Sequence, residues 1–196
     1  PRSHPQFYSM TVIGGGAGSR EGELMHLNDG TGGKFGNLIL TRPPARSPGV
    51  LFDDCGTCPV TQVLPAAGVS IGSTASGDTS SEGYLYFSAG NIIDGVDEGT
   101  ANFAAVGCAT ANVASMSAID GNGHGLTALP SQPDYTHLTA DNFDPRPLPQ
   151  GVACVSGYEL PAGDTVYDAV ARKGAFGTTT DNWLATYSWL ACSGKM

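Results

Sequence analysis

Several stretches of this chain hold residue types at a spacing that does chemistry in other settings. Cys55-Gly-Thr-Cys58 is a paired-thiol motif. A redox-active pair of this kind needs its first cysteine at a helix N-terminus, where the helix dipole stabilises the thiolate. Pro59 suits the first turn of such a helix, but Asp53 and Asp54 place negative charge beside the thiols and no βαβ pattern surrounds them. A zinc site needs a second pair at ligand spacing, and Cys108, Cys154 and Cys192 lie far apart. A structural disulfide is therefore the first reading of the pair, with redox and metal roles as the alternatives.

Asp120-Gly-Asn122-Gly-His124-Gly125 alternates oxygen donors with glycine, as the first half of a calcium loop does. Asp120 and Asn122 are its candidate ligands. The bidentate acid expected at the twelfth position is replaced by Ser131, so calcium competes with a plain solvated turn. Asp94, Asp97 and Glu98 form a second acidic group open to the same two readings. Val12-Ile13-Gly14-Gly15-Gly16-Ala17-Gly18-Ser19 looks like a dinucleotide-binding turn, which requires a strand, a tight bend and then a helix. Here Ser19 stands at the third glycine position, and Gly22 falls inside the required helix. A β-turn loop is the better reading.

The four histidines, His4, His26, His124 and His137, form no ligand or catalytic spacing, and no Gly-x-Ser-x-Gly elbow occurs. No pair of carboxylates is singled out by its context. No catalytic residue is assigned, and no cofactor is expected apart from calcium. Asn-x-Ser/Thr is absent, while the Ser/Thr-rich run from Ser73 to Ser81 is a candidate for O-glycans.

Composition narrows the class. The 196 residues suit one domain, and 40% are apolar, enough for a core. Only 14% are charged, while 28 glycines and 13 prolines demand frequent turns. A net charge of −9 with scattered Lys and Arg excludes a phosphate-binding face, so no nucleic-acid partner is expected. No run approaches the roughly 18 apolar residues of a membrane helix. Pro1 in place of Met implies a cleaved precursor or a piece of a longer chain. Five cysteines in an acidic, Lys-poor chain read as extracellular: two disulfides among Cys55, Cys58, Cys108, Cys154 and Cys192, with one thiol left over.

These residues must be positioned by short strands. Met10–Ile13, Leu24–Leu27, Leu38–Thr41 and Val50–Phe52 are apolar runs with centres about 12 to 14 residues apart. A longer period overlays this one. Leu24–Asp29 matches Gly49–Asp54 at an offset of 25, and Thr11–Ile13 matches Leu38–Leu40 at an offset of 27. Such a two-level period is that of a stacked β-solenoid. Gly30–Gly33 suits a tight corner, and Asn37 suits a left-handed one.

Residues 66–83, rich in Gly, Ala, Ser and Thr, read as a loop insertion. Tyr84–Ile93 reads as strand, turn at Gly90-Asn91, and strand. Residues 101–119 fit a helix or two tight strands equally, and 121–150 read as Gly/Pro-rich loop. Asp181 can N-cap a short helix carrying Trp183, Tyr187 and Leu190 on one face, so 181–191 is expected to cap the C-terminal end.

Pro5–Gly14, Asp29–Ile39, Phe143–Pro147, Lys173-Gly174-Ala175-Phe176-Gly177, Asn182-Trp183 and Trp189 together resemble segments of secreted, mostly uncharacterised right-handed parallel β-helix proteins. The resemblance covers roughly residues 5–54 and 141–191 and implies an all-β fold. The expectation is thus a single β-helix-like domain over 1–196, with the loop insertion and the short helical cap. The expected role is an extracellular structural or assembly component, such as a filament subunit, whose partners are other chains or copies of itself. A polysaccharide-acting β-helix enzyme and a carbohydrate-binding module are the alternatives.

Overall fold

The computed structural model describes residues 5–14, 22–28, 33–41, 46–53, 85–94, 96, 100–106, 119–120, 145–147, 153, 173–176 and 183. These residues are strand-rich with almost no helix. Ten short strands follow one another: β1 (Gln6–Tyr8), β2 (Thr11–Ile13), β3 (Met25–Leu27), β4 (Gly33–Gly36), β5 (Ile39–Thr41), β6 (Val50–Asp53), β7 (Leu85–Phe87), β8 (Ile92–Asp94), β9 (Phe103–Val106) and β10 (Ile119–Asp120). Runs such as Thr-Val-Ile and Ile-Ile favour strands because branching at Cβ stiffens χ1 and packs well on a pleated surface.

The strands pair in a fixed rotation. Three open sheets form, ordered β1-β4-β7, β2-β5-β8-β10 and β3-β6-β9. Every pairing is parallel. Each strand therefore pairs with the strand three places on, except that β8 pairs with β10. Residues 101–119 supply β9 and the first residue of β10; a strand, not a helix, occupies Phe103–Val106.

The pairing settles the register. Met25 pairs with Val50, the expected offset of 25. Thr11, however, pairs with Ile39, an offset of 28 rather than the 27 read from sequence. A slip of one residue exchanges the two faces of a strand. The observed register stacks Val12 on Leu40 and Leu40 on Ile93. These residues join one core with Leu27, Phe35, Leu38, Val50, Phe52, Phe87 and Val96, so all three sheets feed the same apolar centre. Between the second and third sets of strands the offset rises to 52 at Phe35–Phe87 and 53 at Val50–Phe103. The intervening chain, including the expected insertion at 66–83, lies outside the described residues.

Aromatic residues form a ladder in the first sheet. Phe7 pairs with Phe35, and Phe35 with Phe87. The Phe7 and Phe35 rings stack at 5.7 Å and 19°, and Phe87 meets Phe103 edge-on at 5.6 Å. Full burial of each such ring contributes about 1.5–3 kcal/mol. Gly49 lines a tight spot in this core: a Cβ there would lie 2.6 Å from Ile93 Cγ2. Its carbonyl accepts from the amides of Leu24 and Met25.

The corner between the first two sheets is a polar device. Ser9 and Asn37 stack one above the other in the left-handed region, at φ 55° and 54°. The expected left-handed Asn37 is thus observed. The third corner holds one more residue, because the offset grows from 52 at Phe87 to 53 at Ile92. Asn91, fully buried, repairs the mismatch. Its Nδ2 donates to the Phe35 carbonyl at 2.9 Å, and its Oδ1 accepts from the Leu38 amide at 2.9 Å. The added residue is taken up by a turn in which the Asn91 amide donates to the Ser88 carbonyl and the Gly90 amide donates to Ser88 Oγ.

An Asn91→Ala variant leaves the Leu38 amide buried without its acceptor. It is expected to lose about 1–3 kcal/mol of unfolding free energy. Urea denaturation followed by circular dichroism checks this, and a loss under about 0.5 kcal/mol would remove Asn91 from its assigned role.

Candidate functional site

The outer faces of the second and third sheets differ in chemistry. On the third sheet, His26 projects outward from β3, in register with Leu51 of β6. Its Nδ1 lies 2.9 Å from Glu23 Oε1, and its Nε2 lies 3.5 Å from Asp53 Oδ2. The ring spans two successive strands of the sheet. His26 is exposed and the two carboxylates are half-buried, so solvent screens their attraction in part. The two nitrogens point to different carboxylates rather than to a common centre, and no group of three or more His, Cys, Asp or Glu that could hold a metal occurs among the described residues.

On the second sheet the outward Ile39, Thr41 and Ile92 are buried. Ile39 and Ile92 form a small second cluster with Ala153. Thr41 Oγ1 donates to Asp94 Oδ2 at 2.9 Å along the same face. Residues 173–176 lie against this face. The Gly174 amide donates to the Asn37 carbonyl at 2.7 Å, and the Ala175 amide donates to Thr11 Oγ1 at 2.9 Å. Gly174 has φ 75°, and a Cβ on it would meet Ile39 Cδ1 and Thr11 Oγ1, each at 2.6 Å. Lys173 is buried to 1% exposure. Trp183 stacks on Phe176 at 5.3 Å and 6°, and its Nε1 donates to the Ala175 carbonyl.

The sequence-derived candidates fall mostly elsewhere. Cys55, Cys58, Cys108, Cys154, Cys192 and Asn122 lie outside the described residues, as do Asp97 and Glu98. Asp120 is the last residue of β10, in register with Ile93. Asp94 is engaged on the outer face of β8 by Thr41. Of the glycine-rich stretch, Val12 and Ile13 belong to β2, and Gly14 donates its amide to the Thr41 carbonyl. Trp183 is the one described residue of the expected 181–191 cap. Among the described residues no helix is long and apolar enough to cross a membrane. The Glu23–His26–Asp53 group escaped sequence reading because Asp53 is distant in the chain and reaches His26 only through strand pairing.

No family model, curated protein or solved structure matches the chain.

Exposure makes the His26 contacts weak. His26→Ala is expected to change unfolding free energy by about 1 kcal/mol or less, against the larger effect expected at Asn91. Paired urea titrations of the two variants check the ranking, and a larger loss at His26 would show that it does more than bridge exposed carboxylates.

Proposed function

We propose that this chain forms part of a right-handed parallel β-helix and acts as an extracellular structural or assembly component rather than as an enzyme. The rotation of strands through three parallel sheets around one core supports the solenoid reading. In a solenoid each layer contacts its neighbours alone, so the outermost layer is the natural place to join another chain. The cysteines, read as disulfide formers, fit an oxidising compartment.

One observation carries the assembly reading. Phe7 is 43% exposed, whereas its ladder partners Phe35 and Phe87 are buried to 3% and 0%. Phe7 sits on β1, and β1, β2 and β3 are the terminal strands of their sheets among the described residues. A further layer in register would bury the Phe7 ring as Phe35 is buried. The cover favoured is a second copy of this chain or another chain with the same strand pitch; a preceding stretch of a longer polypeptide is the alternative.

Sedimentation velocity of the full chain over a range of concentrations tests the reading. Association is expected to grow with concentration and to strengthen with added salt, because salt screens repulsion between chains of net charge −9. Phe7→Asp is expected to weaken association at least about tenfold, the effect of removing roughly 1.4 kcal/mol of contact, with an unchanged far-ultraviolet spectrum. A chain that stays monomeric at every concentration and salt level overturns the assembly role.

A further inference from the structure

The outer face of the second sheet is apolar where Ile39 and Ile92 stack; Ala153 packs with both, and a segment far along the chain lies against Ile39 and Thr11. Parallel sheets are ordinarily buried on both faces, because bare apolar strands invite other chains. We propose that residues 173–176 are a strap that closes this face and keeps it from joining other chains, and that Gly174 is the residue on which the strap depends. The inference rests on the assembly reading in one respect: it restricts association to the end bearing Phe7.

The strap is held by specific contacts. Two of its amides donate to β2 and to the corner before β5, through Thr11 Oγ1 and the Asn37 carbonyl. Both acceptors are available for local reasons. Asn37 is left-handed, so its carbonyl turns out of the ladder, and Thr11 places a hydroxyl on the outward side of its strand. The close approach to Ile39 leaves no room for a side chain at position 174, and φ 75° is a conformation that side chains resist. The Phe176–Trp183 stack covers the strap from above: Phe176 is 5% exposed and Trp183 43%. The clashes with Ile39 and Thr11 and the positive φ act on any substitution at position 174. Alanine is therefore enough to test it.

Two variants of the full chain serve as probes. Gly174→Ala strains the strap directly. Thr11→Val removes the acceptor of the Ala175 amide while keeping a strand-favouring side chain on β2. Hydrogen exchange at the Gly174 and Ala175 amides, 8-anilinonaphthalene-1-sulfonate fluorescence and sedimentation velocity are read for both. Expected are exchange about tenfold or more faster at these amides, increased dye fluorescence, and self-association that persists when Phe7→Asp is added. Adding Ile39→Ser to the Gly174→Ala chain is expected to abolish that association. Unchanged exchange and dye signal in both variants overturn the strap. So does association that Phe7→Asp abolishes, since it would then run through the first layer alone. If Gly174→Ala fails to fold, Thr11→Val decides on the same readouts. A wild-type chain that is monomeric throughout overturns the assembly reading, while the exchange and dye measurements still report on the strap.

Discussion

Register is the constraint on which the rest of this structure depends. Each strand lies beside the strand three places on, and a side chain reaches the shared core only if its neighbours above and below do the same. Val12, Leu40 and Ile93 stack inward together, while Thr11, Ile39 and Ile92 stack outward together. A slip of one residue between β2 and β5 would set Val12 beside an outward residue, Ile39 or Thr41, and bring Thr11 or Ile13 into line with the inward Leu40. The corner between the first two sheets is where the slip is prevented. Ser9 and Asn37 adopt the same left-handed conformation at equivalent positions, so the chain turns at the same point in two successive layers. The third layer has a residue too many there. Asn91 absorbs it with its side-chain amide, whose oxygen accepts from the Leu38 amide and whose nitrogen adds a second donor to the Phe35 carbonyl beside the Ser88 amide.

Part of this was legible in the residues themselves. The offset of 25 between Leu24–Asp29 and Gly49–Asp54 is visible because both runs are apolar and end in acidic or amide residues: Leu24-Met25-His26-Leu27-Asn28-Asp29 against Gly49-Val50-Leu51-Phe52-Asp53-Asp54. The offset at β2 and β5 was not. Leu38-Ile39-Leu40 is apolar at three consecutive positions, since both faces of that strand are buried, and an unbroken apolar run carries no phase. Asn37 was readable because few residues tolerate a positive φ. Asn91 looked like an ordinary turn residue, and its role as a partner for Phe35 and Leu38 exists only once pairing brings residues more than 50 apart together. The paired carboxylates around His26 are hidden for the same reason.

The candidate site shows the same division between local and long-range information. Motifs that stand out along the chain, the Cys55–Cys58 pair and the Asp120–Asn122 run, are local spacings. They carry meaning when one loop supplies every ligand. A fold of stacked parallel strands brings side chains together across layers instead, at offsets of 25 to 28 or about twice that. Functional groups on such a fold are therefore written in the sequence as distant single residues. His26 with Asp53 is an instance, and Thr41 with Asp94 is another.

The sheets also partition the surface by chemistry. The third sheet turns Leu51, His26, Asp53 and the exposed Val106 outward, a mixed face that water can wet. The second sheet turns Ile39 and Ile92 outward and needs a cover, which Ala153 and residues 173–176 provide. The cost of that cover is specific: a glycine at positive φ, a threonine in place of a larger apolar residue at position 11, and a buried Lys173. Such provisions are unnecessary if the face could simply be polar. That Ile39 and Ile92 are retained beneath a dedicated segment implies that the segment and the sheet are matched parts. Burial of Ile39 ties a residue of the second layer to a stretch more than 130 residues later in the chain. The core is closed by short-period pairing; contacts on the outer face of the second sheet join it to these distant parts of the chain.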